Sequence, residues 1–338
     1  MRRVGVLNAL DAQGRPAWGP PHCICAVPRE KGLTMCTSIQ FTDADGYLYF
    51  GRNLDWFHSY GEGLFFTPRN HPANTGKNAI IGVGIEYEGF PTYFDCANEH
   101  GLAAETQNFV GYAAFPTEAA PGTQPVEAFT FPFWVAANFK TLEEVREGLK
   151  HITAIDSSGT YTQHWMVGDA TGSLVIECQE DGMHVYENPV NVMANQPPFG
   201  WHLENLRNYL NSVDSLTGTV SWGDCDMTPY GVGGGMRGIP GDIYSTSRFV
   251  RAAYMNTHYP ATDSEAEGVA RLFHMLEGVS MVKGCGHNEE GKPEYTVYAS
   301  GYSQREQRYY YHTYADAALH SIALADFDPE GTACVHSA

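Results

Sequence analysis

Three residue types that can do chemistry together lie close along this chain. Cys36 follows Met35, and Arg52 and Asp55 come sixteen and nineteen residues later in the run Arg52-Asn53-Leu54-Asp55-Trp56. A thiol attacks as its thiolate, and a neighbouring guanidinium favours that form over a free-cysteine pKa of about 8.5. Met35 adds a second feature. If the chain starts there and the methionine is removed, Cys36 becomes residue one. Its own α-amine, with an ordinary pKa of about 7.7–8.0, can then take the thiol proton. One residue supplies nucleophile and base, Asp55 holds or orients the amine, and no distant histidine is needed. Taken alone, each feature has a blander reading. A cysteine at a strand start is usually a small buried hydrophobe, and an Arg–Asp pair at a hairpin end is often a weak surface ion pair.

Other residues could serve the same chemistry. Asn108, at a strand end, and Asn195, before Gln196-Pro197, could donate to an oxyanion, although lone asparagines near turns ordinarily cap backbone. Arg248 in Ser245-Thr246-Ser247-Arg248-Phe249 is either a pocket cation or a charge at a helix start. The glycine-rich run 231–242 lacks the Gly-Lys-Ser/Thr ending and βαβ context of a phosphate loop, so a flexible loop is expected. The histidines show no HExxH or comparable spacing, and Cys23-Ile24-Cys25 has no second pair to complete a zinc site. Neither a metal nor another cofactor is expected.

The elements that must position these residues are legible as blocks. Residues 35–41 and 47–55 read as strands around the turn Asp43-Ala44-Asp45-Gly46, and an antiparallel hairpin brings distant positions side by side. A meander follows at 78–86, 91–97 and 102–109, with turns at Glu88-Gly89 and Asn98-Glu99-His100-Gly101. Residues 131–139 predict a helix with Pro132 in its first turn. Thr141-Leu142-Glu143-Glu144 has the capping-box pattern, and Leu142, Val145, Leu149 and Ile152 continue on one helical face. A second meander covers 164–168, 173–178 and 183–186, with a short strand at 190–195. Helical spacing returns at Leu203, Leu206 and Leu210, from Phe249 to Met255, and after the box Ser264-Glu265-Ala266-Glu267. The end is again β, at 295–300, 308–314 and 322–327. Alternating blocks without βαβ units predict an α+β protein whose antiparallel sheets are covered by helices. No repeat or linker divides 36–338, so one domain is expected there.

Composition bounds the function. Hydrophobic residues form 43% and charged residues 17% of the 338, which is globular. No apolar run approaches the roughly eighteen residues of a membrane span. The net charge of −19 argues against nucleic acid, whose binding relies on basic surfaces. Eight scattered cysteines without framework spacing suggest a reduced, cytoplasmic protein. Residues 1–35 differ from the rest, with five basic against two acidic residues and an unpatterned, proline-punctuated stretch. They read as a disordered or removable leader, or as translation upstream of the true start.

From Met35 onward the chain resembles the bile salt hydrolases, or choloylglycine hydrolases, of the N-terminal nucleophile class. The likeness rests on Met35-Cys36-Thr37, Phe50-Gly51-Arg52-Asn53-Leu54-Asp55-Trp56 and Tyr93-Phe94-Asp95-Cys96-Ala97-Asn98-Glu99-His100-Gly101-Leu102. It continues through Asn108-Phe109, Asn195-Gln196-Pro197, Gly238-Ile239-Pro240-Gly241-Asp242 and Ser247-Arg248-Phe249-Val250-Arg251. The resemblance implies a four-layer αββα sandwich, two antiparallel sheets between helical layers. It implies that Cys36 attacks the amide joining a bile acid to glycine or taurine, with a thioester intermediate. By the family pattern Arg52 and Asp55 flank the nucleophile, Asn195 and the Asn108 backbone form the oxyanion hole, and Arg248 supports the site. Related penicillin V acylases tend to carry tyrosine at the Asn108 position, so asparagine favours conjugated bile salts. Trp56, Phe57, Tyr60, Phe65 and Phe66 are candidates for a steroid slot, though most such aromatics are core. The loop at Gly231-Val232-Gly233 leans toward glycine conjugates, and relatives are often homotetramers. Two rival readings are a sister acylase acting on penicillin V or N-acyl-homoserine lactones, and a non-catalytic binder of apolar ligands with Cys36 blocked by its leader. The chain departs from the family pattern in its leader and in the polar run Ala103-Ala104-Glu105-Thr106-Gln107.

Overall fold

The computed structural model describes residues 35–87, 90–215, 218–231 and 235–337. The expected leader up to residue 34, Cys23-Ile24-Cys25, the turn Glu88-Gly89, and Val232 and Gly233 lie outside the described residues. The first hairpin forms as its pattern demands. Strands Met35–Thr42 and Leu48–Trp56 pair antiparallel with Cys36 opposite Leu54 and Ser38 opposite Arg52. The Asp43 side chain accepts from the Asp45 and Tyr47 amides, and Gly46 takes the positive φ of 88° that closes the turn.

This hairpin is the centre of one antiparallel sheet. Its order is Val192–Ala194, Met35–Thr42, Leu48–Trp56, Pro293–Ser303, Arg308–Thr313 and His320–Ala323, with Gly286–His287 added beside Pro293–Ser303. The second sheet is also antiparallel. It runs Gly182–Glu187, Gly172–Gln179, Gln163–Asp169, Ala103–Asn108, Phe90–Asn98, Ile80–Tyr87, Gly63–Thr67 and Val335–Ser337. Helices Ser245–His258 and Glu265–Glu277 cover the outer face of the first sheet, and Phe131–Asn138 and Leu142–Leu149 that of the second. Ile39, Phe50, Leu54, Phe66, Met166 and Val175 are among the apolar residues buried in and around the first sheet. Leu102, Phe131, Val145, Trp165 and Leu174 fill the space under the second pair of helices. The layers are αββα, as the resemblance implied.

Several boundaries move for physical reasons. The helix capped by Thr141 ends at Leu149, and Ile152 instead opens strand Ile152–Ile155, a β-branched run paired parallel with Gln124–Glu127. Leu210 is exposed beyond helix Phe199–Asn205 and its 3₁₀ extension Leu206–Tyr209. The last β segment stops at Ala323 and turns through Leu324–Asp326. Strands Gly63–Thr67 and Val335–Ser337 carry too short a pattern to be seen in sequence, and they pair only because the sheet edge accepts them.

Helix Glu265–Glu277 approaches the first sheet closely because two glycines meet beneath its Leu272. Gly51 and Gly301 are strand partners, and a methyl on Gly51 would stand 2.5 Å from the Ser300 carbonyl oxygen and 3.0 Å from Leu272 Cδ2. Gly51→Ala is expected to cost about 1–3 kcal/mol through this crowding. A lower urea midpoint than wild type would register it, and an unchanged midpoint would refute the close approach.

Candidate active site

In a strand, side chains alternate faces, so Arg52 and Asp55, three apart, project to opposite sides of the first sheet. Arg52 points between the sheets with Cys36, while Asp55 points toward helix Ser245–His258. The hairpin gathers thiol and cation on one face and sets the carboxylate behind them. All three are buried.

On the inner face, Arg52 Nη2 donates to Cys36 Sγ at 2.8 Å. Its Nη1 donates to the Thr106 and Phe94 carbonyls of the second sheet, at 2.6 and 3.2 Å. The Glu105 carboxylate stands 3.4 Å from Nη1. Burial pushes the Cys36 thiol up, Arg52 and the Asp55 amide pull it down, and the Asp55 and Glu105 charges push it up again. Glu105 itself is raised to about 7, chiefly by burial and against the pull of Arg52. Beside it Asp95, also raised by burial, accepts from Tyr298 and Ser300 hydroxyls at 2.6 Å each and from Tyr309.

On the outer face Arg248 is the organising cation, although burial lowers its pKa. Its Nη1 donates to the Cys36 carbonyl at 2.5 Å and to the Thr37 hydroxyl, and Nη2 donates to Asn195 Oδ1 at 3.0 Å. Asp55 Oδ2 lies 3.9 Å from Nη1 without a hydrogen-bond partner among the described residues, whereas Oδ1 accepts from Thr296 Oγ1 at 2.5 Å. Burial raises Asp55 to about 6, against Arg248 and Thr296. Asn195 links the two faces. Its Oδ1 accepts from the Cys36 amide at 2.5 Å, and its Nδ2 donates to the Asn108 carbonyl at 2.8 Å. The Asn195 carbonyl is held by His202 Nε2 at 2.8 Å and Ser245 Oγ at 3.0 Å.

Cys36, Arg52, Asp55, Asn108, Asn195 and Arg248 are thus one connected cluster. The arrangement can hold a thiolate, bind an anion at Asn195, and steady an amine near Asp55. The aromatics divide. Trp56 is buried, and the half-buried rings of Phe57 and Tyr60 continue outward from it, with Trp56–Phe57 centroids 4.6 Å apart and Tyr60–Phe94 5.9 Å apart. Phe65 does not join them. It faces the outer layer with Ile80, Tyr93 and Phe133 and stacks on His336, while its neighbour Phe66 points inward against Phe327. Strand alternation separates the two. Thr296, Glu294 and Asp95 were not singled out in the sequence, where nothing marks a polar residue of a strand as facing a site formed by distant parts of the chain. Glu105 had a signal, the polar run before Asn108, without a partner to explain it.

A profile for "Linear amide C-N hydrolases, choloylglycine hydrolase family" matches residues 36–335. The chain belongs to that family. It is therefore an amidohydrolase acting on linear amides. The chain is similar to a bile salt hydrolase/transferase of Bifidobacterium longum subsp. longum, 47% identical over 310 residues, 88% of this chain and 98% of that protein. It is 39% identical to a conjugated bile acid hydrolase of Lactobacillus acidophilus, covering 89% of this chain and 99% of that one. Among solved structures, a variant of the Clostridium perfringens conjugated bile acid hydrolase superposes with a TM-score of 0.83 at 31% identity, covering 90% and 96% of the two chains. The penicillin V acylase of Agrobacterium tumefaciens, at TM-score 0.70 and 20% identity over 88% and 90%, shares the fold. In this choloylglycine hydrolase family member, among the described residues, no helix is long and apolar enough to cross a membrane.

The buried carboxylates behind the thiol have a thermodynamic consequence. Glu294 is raised to about 7 by burial and by Asp55. An acid whose folded pKa exceeds its unfolded value of about 4.3 holds its proton in the folded state, so stability is lost as pH rises between those values. Glu294→Gln is expected to match wild type near pH 4 in urea unfolding and to exceed it increasingly up to about pH 7. Parallel stability curves would contradict this.

Proposed function

We propose that the protein hydrolyses the amide joining a bile acid to glycine or taurine, with Cys36 as an N-terminal nucleophile. The observation that carries the reading is the Cys36 sulfur held 2.8 Å from the buried Arg52 at the head of the segment matched to the family. The name of the Bifidobacterium relative supports the substrate class.

On this reading residues 1–35 are absent from the active enzyme, and Cys36 carries a free α-amine. The amine takes the thiol proton as sulfur attacks the amide carbonyl. The tetrahedral oxyanion is bound by the Asn108 amide and by Asn195 Nδ2, which keeps one N–H free of its bond to the Asn108 carbonyl. The resulting ammonium returns its proton to the leaving glycine or taurine nitrogen, and the C–N bond breaks to leave a thioester. Water, deprotonated by the same amine, then releases the bile acid and restores the thiol. Asp55 Oδ2, which has no hydrogen-bond partner among the described residues and lies 3.9 Å from Arg248 Nη1, supports the amine step, because Asp55 is the strand partner of Met35 and so flanks the place an ammonium at Cys36 would occupy. Phe57 and Tyr60 are proposed to touch the steroid, with Trp56 behind them. The same family resemblance supports a cytoplasmic homotetramer that needs no cofactor.

Protein beginning at Cys36 is expected to release glycine from glycocholate, while phenoxymethylpenicillin is turned over poorly. Cys36→Ser is expected to lose roughly a thousandfold or more in kcat, and Asn195→Ala about 10²–10³. Faster penicillin V than glycocholate cleavage would reassign the substrate. Full activity with residues 1–35 retained, read by intact mass, would remove the free amine from the mechanism.

A further inference from the structure

Between the sheets, the Arg52 guanidinium stands beside three groups that can be anionic. Arg52 meets the Cys36 sulfur at 2.8 Å and the Glu105 carboxylate at 3.4 Å, and it also acts electrostatically on Asp95, the strand partner of Glu105. One positive charge cannot balance all three in a buried space. Asp95 has its own support in three hydroxyl donors. Glu105 has less. Its Oε1 accepts from Gln107 Nε2 at 3.1 Å, the Ser38 hydroxyl beside it also favours its charged form, and its fully buried Oε2 has no hydrogen-bond partner among the described residues, so the one cation compensating it is Arg52. Gln107 in turn donates to Ser38 Oγ at 2.7 Å, fixing Glu105 against the strand that carries Cys36.

We propose that Glu105 is a positioning residue that competes with the Cys36 sulfur for the single Arg52 guanidinium and so sets how available the nucleophile is. The proposal rests on Cys36 being the nucleophile, and it deepens that reading. The charged and titratable groups facing Glu105 are Arg52 and Cys36 from the first sheet and Asp95 from the neighbouring strand, with Tyr298 and Tyr309 behind Asp95. His164, opposite Gln107 on the other side, is turned toward Glu177 at 3.4 Å. Asp55, Arg248 and Glu294 lie toward the far face of the first sheet. When Glu105 is ionised its charge opposes a thiolate beside the shared guanidinium. When it is protonated, Arg52 is left to the sulfur. The raised position of Glu105, about 7, places this exchange near neutrality.

The test follows alkylation of Cys36 by iodoacetamide in the full-length protein across pH 5.5–9, read on the Cys36 peptide by mass spectrometry so that Cys225 and Cys285 do not interfere. Glu105→Gln removes the competing charge and is expected to raise the rate at pH 8 by roughly threefold or more. Below about pH 6, where wild-type Glu105 already holds a proton, the two curves are expected to converge. A merely structural role would change stability without a pH-dependent gap of this sign. Superimposable curves, or slower alkylation of Glu105→Gln at pH 8, would overturn the proposal. If Glu105→Gln does not fold, Glu105→Asp, with the carboxylate withdrawn by one methylene, is expected to shift the curve in the same direction, and coincidence with wild type would be the refuting result. Glycocholate hydrolysis and alkylation are also measured on wild type and Glu105→Gln beginning at Cys36, where the free amine is present. A normal alkylation gap without hydrolysis would sink the substrate assignment and leave this inference standing.

Discussion

The fully buried guanidinium of Arg52 is the constraint on which the rest of the site depends. A lone charge in a protein interior is costly unless it is paired and hydrogen-bonded. Here it leaves a strand of one sheet and ends on two carbonyls of the other, at Phe94 and Thr106, with Glu105 nearby. Nη2 is directed at the Cys36 sulfur, while Nε has no hydrogen-bond partner among the described residues. The same side chain therefore fixes the spacing of the two sheets and the electrostatic surroundings of the thiol. Gln40 makes a second polar crossing, from the first sheet to the carbonyls of Asp169 and Gly172 at 2.9 and 2.8 Å.

Arg248 does the corresponding work behind the sheet. It enters from a helix more than 200 residues after Cys36 and satisfies the carbonyl of that residue, the Thr37 hydroxyl and the Asn195 amide oxygen. Two arginines on opposite faces thus hold the first strand between them, one at the sulfur and one at the backbone. Asn195 joins the faces, and its own carbonyl is pinned by His202 and Ser245. His202 is kept neutral by burial, with its pKa lowered to about 4, so this support does not add a third cation to the site.

The cluster is expensive in stability. Asp55, Glu105 and Glu294 are all raised toward neutrality by burial, which means the folded state resists their ionisation. Replacing buried charged groups by well-packed apolar residues of similar volume is often neutral or stabilising. Retaining several acids around two cations fits a site organised to control charge at one sulfur.

By itself the sequence determined the hairpin, the block order of strands and helices, the N-caps at Thr141 and Ser264, and the cysteine worth attention, because these depend on residues near one another in the chain. The glutamates of the two expected capping boxes accept instead from the Lys140 and Asp263 amides, one residue ahead of each cap. The sequence also carried the family likeness, since whole motifs such as Gly51-Arg52-Asn53-Leu54-Asp55 survive as strings. Tertiary structure decided what periodicity cannot express. Asn195 and Arg248 looked no different from a backbone cap and a surface charge until 159 and 212 residues of intervening chain had folded back onto Cys36. Phe65 looked like a neighbour of the site, but one step of strand alternation turned it to the other side of its sheet. Glu105 was only an oddly polar residue in a buried strand until the two sheets met and placed Arg52 against it. Local pattern tells which face a residue takes relative to its neighbours; only the packing of one sheet on another tells what that face meets.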